Sequence, residues 1–333
     1  LKDLNTTFLI PFRVLKMLAV LFLCVFSLRY FGMIAGDFKR MMMMATTTLT
    51  TIKKKGQTNK TFEQLLHDLK NSTSEKVRYN AARVIGELGD PAGVEPLIQA
   101  LKYDKNGSVR LYAARALGEL GHSSATHHLI ESLQEDRNVD VRVRAARALG
   151  RLGGEEVVLP LVEALSDDNS QVCVTAADAL IEIGPIAVKP LMSSLQSERV
   201  NVRCDAARAL GELGVADAVD PLLTVLDDEW VNVRIYAVNS LGKLAHPKAT
   251  MPLIDVLLNA EENILVRSGA AQALGMIRDA RALLPLRNLI VAAQELGEIE
   301  DTALKAYKMI MAAKYKPVGA AAVVKAEDDE LEE

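Results

Sequence analysis

The sequence predicts an all-α fold, an α-solenoid of about seven helical-hairpin repeats, and three observations point to it. A run that begins Val-Arg and ends near Gly-x-Leu-Gly recurs through most of the chain, with starts at Val77, Val109, Val141, Val172, Val202, Val233, Val266 and Ile299. Successive starts lie 32, 32, 31, 30, 31, 33 and 33 residues apart, room for two short helices and two turns. Each copy carries two amphipathic stripes that one hairpin cannot bury by itself. Neighbouring copies must therefore stack, with helices roughly 8–10 Å apart, into an elongated right-handed superhelix.

The elements follow in order. Thr61-x-x-Gln64 is a capping box that opens a half-repeat helix carrying Leu65, Leu66 and Leu69, the cover for the first full hairpin. In the first copy Val77, Ala81, Ile85 and Leu88 fall on one helical stripe, Tyr79, Asn80, Arg83 and Glu87 fall opposite, and Ala82 lets a neighbour approach. The segment from Pro91 to Leu101 sets Val94, Leu97, Ile98 and Leu101 on a second stripe, with Asp90 as N-cap and Pro91 at the first helical position. A proline recurs inside this second helix at Pro96, Pro160, Pro190, Pro221, Pro252 and Pro285, where it is expected to bend the helix, and the second copy has His128 there. Gly86, Gly89, Gly118 and Gly121 are expected at recurrent helix ends. Ile299 to Lys316 keeps the apolar spacing through Ala303, Ala306 and Ile310 and loses the glycine turn before Pro317, which makes it the closing helix. Residues 61–317 are thus the solenoid.

The 333 residues are 50% hydrophobic and 25% charged, which excludes a disordered, collagenous or disulfide-framework chain. A net charge of -4 gives no whole-molecule signal for nucleic acid, so none is expected as a partner. Cys24, Cys173 and Cys204 are too scattered for a disulfide scaffold or a four-thiolate zinc site and suit a reducing compartment, the cytoplasm. Residues 1–60 lie outside the repeat. Their apolar stretch, residues 17–36, is interrupted only by Arg29 and is borderline against the roughly 20 residues a spanning helix needs. It reads as a non-native leader ahead of Met41 to Met44, as a membrane anchor, or as a cleaved signal, and a membrane is a partner only if the segment is native. Residues 318–333, with Glu327, Asp328, Asp329, Glu330, Glu332 and Glu333, are expected to be a disordered acidic tail.

The residues Val-Arg-x-x-Ala-Ala-Arg-Ala-Leu-Gly-Glu-Leu-Gly, followed by Val-x-Pro-Leu, closely resemble the HEAT-like repeats of the phycobilisome-lyase type, of armadillo-type architecture, from about Thr61 to Pro317. That class includes bilin-lyase subunits, deoxyhypusine hydroxylases, adaptors and engineered binders, so the resemblance bears on fold more than on function. The hydroxylases hold iron through His-Glu dipeptides. None of His67, His122, His127, His128 and His246 is followed by glutamate, and that activity is not expected. The adjacent pair His127 and His128 points about 100° apart on a helix, poor geometry for one metal. No phosphate loop or nucleophile elbow is present, and Cys173 and Cys204 are read as buried thiols rather than a redox pair. No catalytic residue, metal or cofactor is expected.

What remains is a surface. The two residues after each Val-Arg change freely between copies: Tyr79-Asn80, Leu111-Tyr112, Val143-Arg144, Val174-Thr175, Cys204-Asp205, Ile235-Tyr236 and Ser268-Gly269. Together with Arg83, Arg115, Arg147, Asp178, Arg208, Asn239 and Gln272 they are expected on the side of the helix away from the core. In engineered relatives, the resemblance implies, the matching slots line the concave binding face. Tyr112, Tyr236, Arg115, Arg144 and Arg147 are residue types enriched at binding hot spots. Alternatively, Arg83 and Glu87, Arg115 and Glu119, and Arg208 and Glu212 neutralise one another as i,i+4 pairs. Arg151 replaces the expected glutamate beside Arg147, so the third copy should be locally positive and the next two, with Asp178, Glu182 and Asp205, more acidic. The Val-Arg arginines recur with the core and should form a ladder with loop acids such as Asp136 and Asp168. Trp230 is either an exposed rim anchor or a packed plug between repeats. The expected function is a non-enzymatic, monomeric scaffold or adaptor whose concave face grips a protein or peptide through Tyr79, Asn80, Arg83, Leu111, Tyr112, Arg115, Arg144, Arg147, Thr175, Asp178, Asp205, Arg208, Trp230, Tyr236 and Asn239. The alternative is a bilin-lyase-like subunit or chaperone of a modifying enzyme.

Overall fold

A computed structural model describes residues 60–292 and 297–314. The leader up to residue 59 and the acidic tail lie outside the described residues. Within them the protein is an α-solenoid of sixteen α-helices, with no strand, in two compact units that divide between Leu152 and Gly153. The first holds α1 (Phe62–Asn71), α2 (Glu75–Leu88), α3 (Val94–Tyr103), α4 (Gly107–Leu120), α5 (Thr126–Glu135) and α6 (Val139–Leu152). The second holds α7 (Val158–Ala164), α8 (Ser170–Ile183), α9 (Val188–Ser194), α10 (Val200–Leu213), α11 (Val219–Thr224), α12 (Val231–Leu244), α13 (Thr250–Leu258), α14 (Ile264–Ile277), α15 (Leu283–Ala292) and α16 (Gly297–Lys314). Even-numbered helices carry the Val-Arg motif or its counterpart. From α3 onward the odd-numbered ones carry the proline, except α5, which has His128 in that slot. Among the described residues no helix is long and apolar enough to cross a membrane.

The helix that opens the array starts at the capping box read from the sequence. Gln64 N–H donates to Thr61 Oγ1 at 3.3 Å and Thr61 N–H to Gln64 Oε1 at 2.9 Å, so the capping box of α1 is closed in both directions. Ile299, Ala303, Ala306 and Ile310 are buried along α16. In α2 the buried stripe is Ala81, Val84 and Ile85 rather than one reaching Leu88. Leu88 has only the half-repeat helix before it and is 41% exposed, where Leu120 of the next copy is half-buried.

The recurrent prolines sit elsewhere in their helices than expected. Each proline helix begins with a three-residue 3₁₀ turn, such as Pro91–Gly93, and Pro96, Pro160, Pro190, Pro221, Pro252 and Pro285 then occupy the third residue of the α-helix. The amides of a first turn have no intrahelical acceptor, so proline there removes no bond and need not bend the helix. Four of the seven 3₁₀ turns among the described residues are capped by a side chain, Asp90, His122, His246 or Asp279, each accepting the N–H two residues on. His122 is thus an imidazole in a capping slot.

The motif glycines also divide into two kinds. Gly89 and Gly121 end α2 and α4 in the left-handed region, at φ 74° and 68°. Gly86 and Gly118 are inside their helices, where neighbouring Val-Arg helices nearly touch. A Cβ at Gly86 would lie 2.6 Å from Ala116 Cβ, and one at Gly118 would lie 2.7 Å from Ala148 Cβ. The same pairing joins Gly211 to Ser240, Gly242 to Ala273 and Gly275 to Ala306. Ser240, in a slot otherwise held by alanine, satisfies its buried hydroxyl by donating to the Ala207 carbonyl at 2.7 Å.

A ladder of guanidinium groups ties the loops together. Arg78 donates from Nη1 to the Ser72 and Thr73 carbonyls, at 2.9 and 3.2 Å, and from Nε and Nη2 to both carboxylate oxygens of Asp104, at 2.6 and 2.9 Å. Arg110 repeats the pattern with the Asp104 and Lys105 carbonyls and the Asp136 carboxylate. In the second unit Arg203 bridges Ser197 and Glu198 to Asp228, and Arg234 bridges Asp228 and Glu229 to Glu262. Arg267 ends it by donating to the Leu257 carbonyl. Asp136 is a ladder acid as expected, but Asp168 is exposed and one residue out of register. Asp167 holds the slot, accepting the Asn169 N–H as Asp104 accepts that of Asn106. The loop geometry sets this register, because the acid must stand two residues before the helix cap.

At α8 the ladder residue is Cys173, whose S–H reaches the Asp167 carbonyl at 3.1 Å, the carbonyl six residues back that an arginine would take. The acid slot one loop later is Ser197, whose Oγ accepts the Arg199 N–H. Cation and anion are thus replaced together, and no buried charge is orphaned. Both thiols are free, as buried cysteines, and burial pushes Cys173 up and Cys204 to about 11.

Three outcomes follow from this packing. Gly118→Ala, which intrinsic helix propensity favours, should instead lower unfolding stability by about 1–3 kcal/mol in urea titration, because backbone and not a flexible tip receives the new methyl. Cys173→Arg alone should destabilise, and adding Ser197→Asp should recover stability, with a coupling of about 1–3 kcal/mol in a double-mutant cycle. Burial alone would raise the Asp104 carboxyl, but hydrogen bonds from Arg78 and the Asn106 N–H, with the charges of Arg78 and Arg110, outweigh it and hold it below the ordinary range. A lowered folded-state pKa contributes stability above the unfolded value of about 4 that is lost as pH falls through the folded value. Asp104→Asn should therefore cost roughly 1–2 kcal/mol at pH 7, and the difference from the parent protein should shrink as pH falls below the ordinary carboxyl range.

Candidate functional site

Because the glycine and alanine slots bring Val-Arg helices together, the residues between them are carried onto a shared surface within each unit. In the first unit Tyr79 on α2 stacks on Tyr112 on α4, ring centroids 5.2 Å apart and planes inclined by 20°. Leu111, Arg115 and Arg144 are half-buried beside this pair of helices and α6, while Asn80 and Arg147 are exposed. Arg83 donates to Glu87 at 2.7 Å and Arg115 to Glu119 at 2.9 Å, so both expected i,i+4 pairs form. They leave the arginines of α2 and α4 neutralised.

On α6 that neutralisation stops. Arg151 stands where the glutamate would be, and among the described residues Arg144, Arg147 and Arg151 have no ion pair. Burial, and then the positive charges of Arg147, Arg115 and Arg151, pull the Arg144 guanidinium below its ordinary value. A half-buried cation is held there without an anion, a state that costs free energy until an anion arrives.

The second unit has the opposite character. Asp178 on α8 is exposed and pairs with Arg208 on α10 at 2.9 Å, so Arg208 does not take Glu212 as expected. Glu212 pairs instead with Lys243 on α12. The reason is that α8 carries an acid where other copies carry arginine, which puts an opposite charge across the helix pair. Asp205 is half-buried, and burial together with Asp178 raises its carboxyl against the opposing pull of Arg208. Tyr236 and Asn239 are exposed on α12.

Two variable slots turn inward. Thr175 is 3% exposed, its short side chain folded back to donate to the Gln171 carbonyl at 2.7 Å, and it cannot meet a partner. Cys204 is buried as well. Trp230 is 51% exposed at the N-cap of α12, its indole N–H on Glu229 Oε1, so it is a surface residue and not a plug between repeats. Sequence reasoning missed the half-burial of Tyr79, Leu111, Val143 and Ile235, the first residues of their variable pairs, since chemical variability resembles exposure until the neighbouring helix is in place; Val174, in the same slot, is exposed. Among the described residues no three His, Cys, Asp or Glu side chains are grouped to hold a metal ion.

The HEAT repeats family model matches residues 62–142, 126–193 and 220–308, and that of the PBS lyase HEAT-like repeat matches residues 202–228. No curated protein sequence matches the chain. Among solved structures, importin beta is similar at 17% identity and a TM-score of 0.58, over 78% of this chain and 41% of that one. Human deoxyhypusine hydroxylase is similar at 24% identity and a TM-score of 0.35, over 80% of this chain and 98% of that one. The CpcE and CpcF complex of phycocyanin lyase from Nostoc sp. is similar at 23% identity and a TM-score of 0.39, over 76% and 96%. At 17% identity the likeness to importin beta is one of fold. With family models matching more than half of the chain and the recurrent Val-Arg, glycine and proline slots all in place, this chain belongs to the HEAT-repeat family.

Proposed function

We propose that the protein is a non-enzymatic scaffold or adaptor, and that the side chains between its Val-Arg helices form a concave face that grips a protein or peptide. The observation that carries this reading is the stack of Tyr79 on Tyr112 beside the half-buried Arg115 and Arg144. Helix packing is already supplied by the glycine and alanine contacts and loop order by the ladder, so neither demands an aromatic and guanidinium surface here. Flat aromatic area and planar charge, held by rigid helices, lose little entropy on docking. The second unit, by itself, carries Tyr236, Asn239, Asp178 and Asp205 on its own Val-Arg helices, with other chemistry. A HEAT-repeat fold suits the role because each copy's variable slots can change while its core stays the same.

Tyr112→Ala with Arg144→Glu should reduce recovery of affinity-purified partners at least tenfold by quantitative mass spectrometry, with circular dichroism and melting temperature close to the parent protein. Gln99→Ala on α3 should change nothing. Unaltered recovery from the folded double variant would remove the face from the account. A chromophore, iron or nucleotide retained at one equivalent per chain would replace the adaptor with a subunit of a modifying enzyme.

A further inference from the structure

Resting on the reading above, we infer that the first unit's face takes an acidic peptide segment, whose carboxylates meet Arg144, Arg147 and Arg151 while a neighbouring flat or apolar side chain lies on the Tyr79 and Tyr112 pair. The comparison that carries this is internal to the protein. Three successive Val-Arg helices hold arginine at one slot, Arg83, Arg115 and Arg147. On α2 and α4 a glutamate one turn later accepts from it, at 2.7 and 2.9 Å. On α6 the glutamate is replaced by a second cation, Arg151, and a third, Arg144, lies one turn before. Asp140, one turn before Arg144, makes no ion pair with it among the described residues. Five arginines thus face two glutamates across the three helices, and the excess is gathered on α6.

Carboxylates fit this arrangement better than the alternatives. Arginine forks match planar carboxylates in two parallel hydrogen bonds, and Arg144 is half-buried, so a pair made there is screened less than one in open water. The neighbouring tyrosine stack offers an apolar, flat patch within the same surface, which a peptide side chain covers. A nucleic acid strand fits less well. Its charge is uniform along the backbone, while the matching slots of the second unit carry Asp178 and Asp205, and the chain as a whole is at -4. A peptide brings its carboxylates only where the cations are.

The test uses the full chain and fluorescence anisotropy with three probes of 12 residues or nucleotides. One is a Glu/Asp peptide with a central Trp, the second its Gln/Asn counterpart, and the third a single-stranded oligonucleotide. The acidic peptide should bind at least tenfold more tightly than the neutral one and weaken with added salt. Arg144→Gln with Arg147→Gln should abolish that difference, while Arg287→Gln on α15 should leave it intact. Equal binding of both peptides, lost only with Tyr112→Ala, would overturn the acidic assignment and keep the face as a binding surface. Tighter binding of the oligonucleotide would overturn the partner class. No binding by any probe would overturn the inference, leaving the partner recovery experiment to judge the face. If removal of residues 327–333 raised acidic-peptide affinity tenfold, the chain's own tail would be the occupant and the separate partner would be excluded.

Discussion

The structure depends on how closely one Val-Arg helix can approach the next. At Gly86 against Ala116 and at Gly118 against Ala148, no room is left for a single methyl group. Dispersion forces are short-ranged, so this proximity brings the flanking alanines and leucines of both helices into dense contact. It also fixes the lateral offset of successive copies, because a glycine must meet an alanine and not the larger residue a turn away. The second unit meets the same requirement with Gly242 and Gly275, and with Ser240 where a hydroxyl takes the alanine slot and finds a carbonyl.

The loops are organised by a second, polar constraint. Arg78, Arg110, Arg203 and Arg234 each collect the carbonyls of the loop before their helix and the acid of the loop after the next, so consecutive turns share one guanidinium. Loop carbonyls that have no helical partner are satisfied, and the arginines received by Asp104 and Asp228 hold those two carboxyls below their ordinary range. The joint loss of cation and anion at Cys173 and Ser197 illustrates the physics. One charge cannot leave without its partner, whereas both can leave for a thiol and a hydroxyl.

With packing assigned to small residues and loop order to the ladder, the remaining slots of the Val-Arg helices are fixed by neither. Their chemistry differs between the units. Among the described residues the first presents stacked tyrosines and, on α6, arginines without an ion pair, and the second exposes Asp178 and Tyr236, with Arg208 and Lys243 engaged by acids. A surface built this way keeps one backbone while its side chains vary from copy to copy.

The amino-acid sequence by itself determined the repeat, its period, the two stripes, the capping box at Thr61 and the i,i+4 pairs on α2 and α4, because these depend on spacing within one helix or on local turn chemistry. It also located the locally positive third copy, since Arg144, Arg147 and Arg151 are neighbours on one helix. Only the tertiary structure decided what each slot meets on another element. It placed Gly86 against Ala116, put the prolines in the first turn, and moved the ladder acid from Asp168 to Asp167. It turned Thr175 inward and gave Arg208 to Asp178 rather than to Glu212. Those outcomes depend on distances between helices some 30 residues apart in the chain, and periodicity within a helix carries no information about them.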